Sequence, residues 1–259
     1  MTDMPEDDGV LLQWGESVAL LVLDRPRAHN ALDAQMLTAL TAHCAALAQD
    51  PTLRAVVLTS AVPGTFCAGG DLREIAGLVA AGAADGACTV QEAGRRALAA
   101  LTALPVPVLA AIDGTAFGGG AELALAADLR FAGPKARFAL KQVAMGLSPA
   151  WGTTARLPRA IGAAAAMDLL LSTRTIDAAE MVRLGLALPA PREALASALA
   201  WVRSLEALPL TALRANLALL RSAYANEGSL VDAEQRTFEG LFGGAEHRAA
   251  LDAFFTRRA

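Results

Sequence analysis

Two glycine-rich stretches hold the residues whose types and spacing could do chemistry. The first is Phe66-Cys67-Ala68-Gly69-Gly70-Asp71-Leu72. The second is Asp113-Gly114-Thr115-Ala116-Phe117-Gly118-Gly119-Gly120-Ala121-Glu122-Leu123. Each joins an apolar, strand-like run to a run with helical spacing. The first N–H groups of a helix lack intrahelical partners and carry partial positive charge, so either loop could hold an anion or a developing oxyanion. Glycine leaves no Cβ in the way of a close ligand. Glu122 falls in the first turn of the second helix, where it would serve either as a general acid/base or as a carboxylate complementing the helix dipole. Either loop alone is more simply read as a tight turn; the pair together suggests a site.

Other chemistries find little support. The second loop lacks the third glycine of a dinucleotide fingerprint, and no Gly-Lys-Ser/Thr follows to make a P-loop. Gly146-Leu147-Ser148-Pro149-Ala150 matches only half of a hydrolase elbow. The histidines, His29, His43 and His247, are scattered, and Cys44, Cys67 and Cys88 lack ligand spacing, so no metal is expected. The cysteines read as reduced structural thiols, with Cys67 the one inside a site motif.

The elements that must position these loops follow from periodicity. Val10–Trp14 and Val18–Leu23 read as a hairpin. Asn30 and Asp33 offer N-cap oxygens for a helix over 34–48, with Met36, Leu40, Cys44 and Leu47 on one face. Residues 54–60 and 107–112 read as strands, 129–132 as a shorter one, and helices are expected from Asp71, over 89–104 and over 122–127. The Ala/Gly-rich stretch 79–87 reads as a surface connection. Strand and helix alternate, an α/β pattern. From Trp151 onward helices dominate: 153–161, 163–171, 178–184, 193–205, 211–225, 230–242 and 246–257. Leu213, Leu217 and Leu220 form an apolar face that needs a partner.

The chain has 259 residues, enough for one large domain or a domain with an appendage, and a net charge of -4. That balance argues against nucleic acid as a ligand, since phosphate backbones call for a basic field. The acidic start from Met1 to Gly9 has no signal-peptide pattern, and no apolar run reaches membrane-spanning length. A cytoplasmic protein without a membrane partner is the expectation.

Taken together, the motifs resemble the crotonase superfamily, the enoyl-CoA hydratase/isomerase family. The first loop of that family reads roughly F-x-A-G-x-D-L, and this chain has FCAGGDL. The second reads roughly G-x-x-x-G-G-G-x-E-L, and this chain has GTAFGGGAEL. LDRPRAHNAL, ALAADLRFA and ARLPRAIG extend the likeness to nearly the whole chain. The resemblance implies a crotonase-like spiral of ββα units over 1–195 and a C-terminal helical layer over 196–259 that packs subunits into a homotrimer or hexamer. It implies an acyl-CoA thioester as partner, with coenzyme A arriving on the substrate and no other cofactor. Gly70 and Gly119 match the oxyanion donors and Glu122 the first acid/base. Arg27, Ala28, Ala68, Asp71 and Leu72 match CoA-lining positions, with Arg27 favoured as the phosphate contact and Arg25 undecided. Phe254 and Arg257 match positions lent to a neighbouring subunit's CoA.

One position departs from the pattern. The second glutamate of family hydratases falls, counting from Phe138 and from Gly146, at Gln142. An amide can hold a water but cannot exchange a proton with it at neutral pH. Three reactions survive. Glu122 alone could drive slow hydration or a 1,3-proton shift. The oxyanion pair alone could serve decarboxylation of a malonyl-type thioester, which the segment Ser148-Pro149-Ala150-Trp151-Gly152-Thr153-Thr154 faintly resembles. Lys141 could supply the missing proton. A catalytically inert acyl-CoA binder is the alternative of a different class.

Overall fold

The computed structural model describes residues 9–82, 84–222 and 227–256. The chain opens with the hairpin β1 (Val10–Trp14) and β2 (Val18–Leu23), in which Val10 faces Leu23 and Trp14 faces Ala19. Helix α1 (Ala34–Leu47) follows, capped by Asp33, whose carboxylate accepts from the Met36 N–H at 2.8 Å. Asn30, the other candidate cap, does something else, described below.

The chain then winds. It passes through β3 (Ala55–Ser60), β4 (Thr65–Cys67), α2 (Leu72–Ala80), α3 (Ala84–Thr102), β5 (Val108–Ile112), β6 (Thr115–Phe117), α4 (Gly119–Ala126), β7 (Leu129–Ala132), β8 (Arg137–Ala139) and α5 (Thr153–Ile161). Three times the chain leaves a six-stranded sheet, ordered β1-β2-β3-β5-β7-β10 with β10 at Leu188–Pro189, and enters a four-stranded sheet, ordered β4-β6-β8-β9 with β9 at Ile176–Asp177. Successive turns stack with parallel pairing: Val57 beside Leu109 and Ala111 beside Phe131 in the large sheet, Thr65 beside Thr115 and Thr115 beside Arg137 in the small one. Stacking lets each turn pair its backbone groups with the next and close a continuous core. This is the expected spiral of ββα units.

Alternation along the strands explains why they read as unbroken apolar runs. Val56, Leu58, Val108 and Ala110 face the core beneath α1 and α3. Ala55, Val57, Leu109, Ala111 and Phe131 face the other way. There they meet Ala194, Ala198 and Val202 of α8 (Ala194–Arg203), so both faces are covered. Residues 195 and 196 both lie in α8.

The remaining elements are α6 (Ala163–Ser172), β9 (Ile176–Asp177), α7 (Ala178–Arg183), β10 (Leu188–Pro189), α9 (Leu210–Ser222), α10 (Glu227–Leu241) and α11 (Ala245–Thr256). Arg221 ties α9 to the body, its guanidinium 2.6 Å from Asp128 Oδ2 and donating to Leu104 O. Helix α10 packs on α3 and α5, and α11 on α2 and on the single turn Val143–Met145. On α9, Leu213 and Leu217 are half-buried, while Leu219 and Leu220 are exposed. Among the described residues no helix is long and apolar enough to cross a membrane.

Two expectations are corrected. The stretch 79–87 is not one connection: α2 runs to Ala80 and α3 begins at Ala84, with Ala83 outside the described residues. Alanine is the strongest helix former, and its repetition here extends helices rather than a loop. The second helix begins at Gly119, not Glu122, so two of the three clustered glycines belong to its first turn.

Candidate active site

Strands β4 and β6 are neighbours in the small sheet, so the glycine loops that leave them lie side by side. Gly118 has φ 52° and ψ -119°, a conformation closed to residues with a Cβ, and it turns the chain from β6 into α4. A Cβ on Gly119 would stand 3.3 Å from the Gly70 nitrogen and 2.7 Å from the Trp151 ring. The two loops are therefore in near contact, and only glycine fits between them. Among the described residues, neither the Gly70 nor the Gly119 N–H donates to a protein acceptor. Both residues line a cavity of about 1620 Å³. Two preorganised, unpartnered donors side by side can hold a carbonyl oxygen as it gains charge.

The first loop is held by the turn that follows β2. Ala68 N–H donates to His29 O at 3.0 Å, Leu32 N–H to Gly69 O at 2.7 Å and Asp71 N–H to Leu32 O at 2.9 Å. Asn30, fully buried with φ 55°, braces this arrangement: its Nδ2 donates to Ser60 Oγ at 2.8 Å and to Phe66 O at 2.9 Å, and its Oδ1 accepts from Arg25 N–H. Arg25 completes the brace. Its guanidinium lies 2.7 Å from Asp71 Oδ2 and 2.9 Å from Asp33 Oδ2, joining the caps of α2 and α1. This resolves Arg25 as a structural tie. Asp71 also caps α2 through Arg73 and Glu74 N–H. Burial alone would raise its pKa, but the Arg25 hydrogen bond, the two capping amides and the Arg25 charge outweigh burial and hold it below the usual carboxylate value.

Glu122, 4% exposed, sits at the base of the cavity. Its Oε1 accepts from Gln142 Nε2 at 2.7 Å; its Oε2 accepts from Trp151 N–H at 3.0 Å and from Thr153 Oγ1 at 2.8 Å. All three groups donate, an arrangement matched to the ionised carboxylate, which only accepts. Gln142 is thus beside Glu122 as the sequence register placed it, with its amide nitrogen spent on the carboxylate. Its Oε1 is buried without a partner. Trp151 and Thr153 belong to the segment singled out as 148–154, but their service to Glu122 was not legible. Thr153 opens α5, and nothing in its local spacing points at a residue thirty-one positions earlier.

The remaining candidates sort by position. Arg27, Ala28, Ala68, Asp71 and Leu72 all line the cavity, and among the described residues Arg27 forms no ion pair. Phe254 lines the cavity of its own chain, carried there by α11, which folds back over the Val143–Met145 turn. Arg257 lies outside the described residues. Lys141 lines the cavity, but its ammonium donates to Thr173 O at 2.7 Å and stands 5.5 Å from the Phe117 ring centroid, which makes it an anchor for that segment. Cys67 is fully buried with its thiol on Asn30 O at 3.0 Å, and burial pushes its pKa up to about 12, the mark of an inert structural thiol. Among the described residues no group of three or more His, Cys, Asp or Glu is placed to hold a metal.

Comparison with known proteins follows the same line. The family profile described as Enoyl-CoA hydratase/isomerase matches residues 13–259. The probable enoyl-CoA hydratase echA8 of Mycobacterium bovis is 34% identical over 258 residues, covering 96% of both chains. The mitochondrial methylglutaconyl-CoA hydratase of Mus musculus is 38% identical over 176 residues, 68% of this chain and 55% of that protein. Among solved structures, an enoyl-CoA hydratase/isomerase from Mycobacterium paratuberculosis superposes with a TM-score of 0.89 at 26% identity, covering 97% of this chain and 99% of that one.

Proposed function

The chain belongs to the enoyl-CoA hydratase/isomerase family, and from that premise we propose that it moves a proton within an acyl-CoA thioester, with Glu122 as its one acid/base. The thioester oxygen would sit between the Gly70 and Gly119 N–H groups. Glu122 would take a proton from a carbon made acidic by the thioester, and the enolate charge would fall on the held oxygen. In other enzymes one oxyanion donor contributes about 3 kcal/mol to the transition state. Returning the proton to the γ-carbon instead of the α-carbon shifts the double bond, with no net gain or loss of atoms.

One observation carries this reading: the 2.7 Å hydrogen bond from Gln142 Nε2 to Glu122 Oε1. A second proton carrier would be needed at that position for concerted hydration, and an amide donor cannot be one. The amide holds the carboxylate still and leaves it the single base. Around it, Arg27 would meet a phosphate of the CoA at the mouth, with Ala28, Ala68, Asp71, Leu72 and Phe254 along the handle. The exposed Leu219 and Leu220 support burial of α9 against further copies, in a trimer or hexamer that sedimentation would measure.

Hydration by Glu122 alone is the second reading, favoured by the names of the relatives, which are hydratases. The test is to offer the purified protein a 3-enoyl-CoA and crotonyl-CoA side by side in heavy-oxygen water. A 2-enoyl-CoA product from the first, without label in the second, is the expected result. Label in a 3-hydroxyacyl-CoA would transfer the assignment to hydration. Neither product, with no exchange of α-protons while the thioester still binds, would leave an inert binder; release of carbon dioxide from a malonyl-type thioester would make it a decarboxylase.

A further inference from the structure

The carboxylate at the base of the cavity is held from behind by a hydroxyl that lies outside it. Thr153 is fully buried, and among the described residues it is not part of the cavity lining. Its Oγ1 donates to Glu122 Oε2 from 2.8 Å, and the Trp151 N–H donates to the same oxygen from 3.0 Å. Both come from the start of α5, Thr153 as its first residue and Trp151 just ahead of the Gly152 cap. The partial positive charge of a helix start favours a negative group there. Arg156 fastens this turn by donating to Trp151 O. On the other oxygen, Gln142 Nε2 donates to Oε1 from 2.7 Å.

A carboxylate that takes a proton from carbon must be aimed at it, and a group held by packed neighbours is aimed best. These donors reach both oxygens of Glu122 from two separate segments, so together they fix the plane of the carboxylate. Hydrogen bonds to a charged acceptor are stronger than neutral ones, which makes each a firm tether. Trp151 contributes a backbone group. Thr153 contributes a side chain, where valine would fill the same space and donate nothing. Since Thr153 lies outside the cavity, its effect on the reaction passes through Glu122. We propose that Thr153 is a positioning residue, whose hydroxyl holds the Glu122 carboxylate in the one geometry that meets the substrate carbon. The inference rests on the acid/base reading of Glu122 above. A threonine that only satisfied its own hydroxyl in the core would leave the chemistry alone.

Turnover and binding together separate these roles. Misplacing a reacting group by about 1 Å can cost roughly 100-fold in rate. Loss of one tether should therefore lower the kcat of Thr153→Val on a 3-enoyl-CoA by about tenfold, with the Kd for hexanoyl-CoA unchanged. Thr153→Ala should match it. Thr153→Ser keeps the hydroxyl and should stay within about threefold of wild type. In a Glu122→Gln background, Thr153→Val should change the residual turnover by less than about twofold. Infrared spectroscopy reads the contact without catalysis: the carboxylate band that disappears in Glu122→Gln should move in Thr153→Val and return in Thr153→Ser. Unchanged kcat in both hydroxyl-free variants overturns the proposal, and so does an unmoved band. An equal loss in Thr153→Ser, or in the Glu122→Gln background, also overturns it, since packing alone would then account for the effect. A wild-type protein that binds the thioester and moves no proton overturns the acid/base reading instead, and the band still decides whether Thr153 holds the carboxylate.

Discussion

The Gln142 side chain donates to Glu122 Oε1 from 2.7 Å, twenty residues away along the chain and across the mouth of the β6–α4 loop. The family's hydratase pattern has a second carboxyl group at that position. Here an amide takes that position, and it holds the Glu122 carboxylate without titrating.

Removing that base should abolish turnover and spare binding. Glu122→Gln keeps the volume and can still accept from Trp151 and Thr153. Its kcat is expected to fall by about 10²–10⁴-fold, the usual contribution of a positioned general base, with little change in the Kd for an unreactive acyl-CoA. A variant with unaltered kcat would take Glu122 out of the mechanism.

Restoring a carboxyl group at Gln142 should restore a second proton carrier. In Gln142→Glu two carboxyl groups would stand within hydrogen-bonding distance, and one of them must keep its proton. Heavy-oxygen label from water should enter crotonyl-CoA at least tenfold faster than in the wild type. If the folded variant binds CoA and shows no gain, the water site has changed in more than this residue.

The Arg25–Asp71 pair should show itself in the pH dependence of stability. The folded-state pKa of Asp71 is depressed below its unfolded value. Its contribution is therefore present above the unfolded value, near 3.9, and fades as pH falls through the lower folded value. The pair is partly exposed, so Asp71→Asn should cost only about 1 kcal/mol at neutral pH after solvent screening. Urea titrations at a series of pH values should find this difference shrinking below about pH 4. A constant difference down to about pH 2 would mean that the cost lies in the α2 cap geometry and not in the charge.

Arg27 should act on binding only. Arg27→Ala is expected to raise KM for an acyl-CoA roughly five- to tenfold with kcat unchanged, in keeping with an exposed charge contact. The same variant should be indistinguishable from wild type on the 3′-dephospho form of the substrate. An equal defect on both substrates would assign the loss to loop packing.

Much of this was legible in the residues. The two glycine loops, the register that sets Gln142 opposite Glu122, and the apolar runs of β3 and β5 were all readable, because each signal is local and strong. The short strands β4, β6 and β8 were not. Three residues carry too little periodicity to distinguish a strand from a loop, and these strands exist because each pairs with the turn of the spiral above or below it.

Sequence alone determined which groups could do chemistry: backbone donors at two helix starts, one carboxylate, and an amide where a proton carrier would otherwise stand. Those are properties of residue type and spacing. Only the tertiary structure decided what each group spends its bonds on. Arg25 was consumed by Asp33 and Asp71, Lys141 by Thr173, and the Gln142 nitrogen by Glu122. A hydrogen bond between residues far apart in the chain leaves no periodic trace, and its partners are chosen by how the spiral stacks.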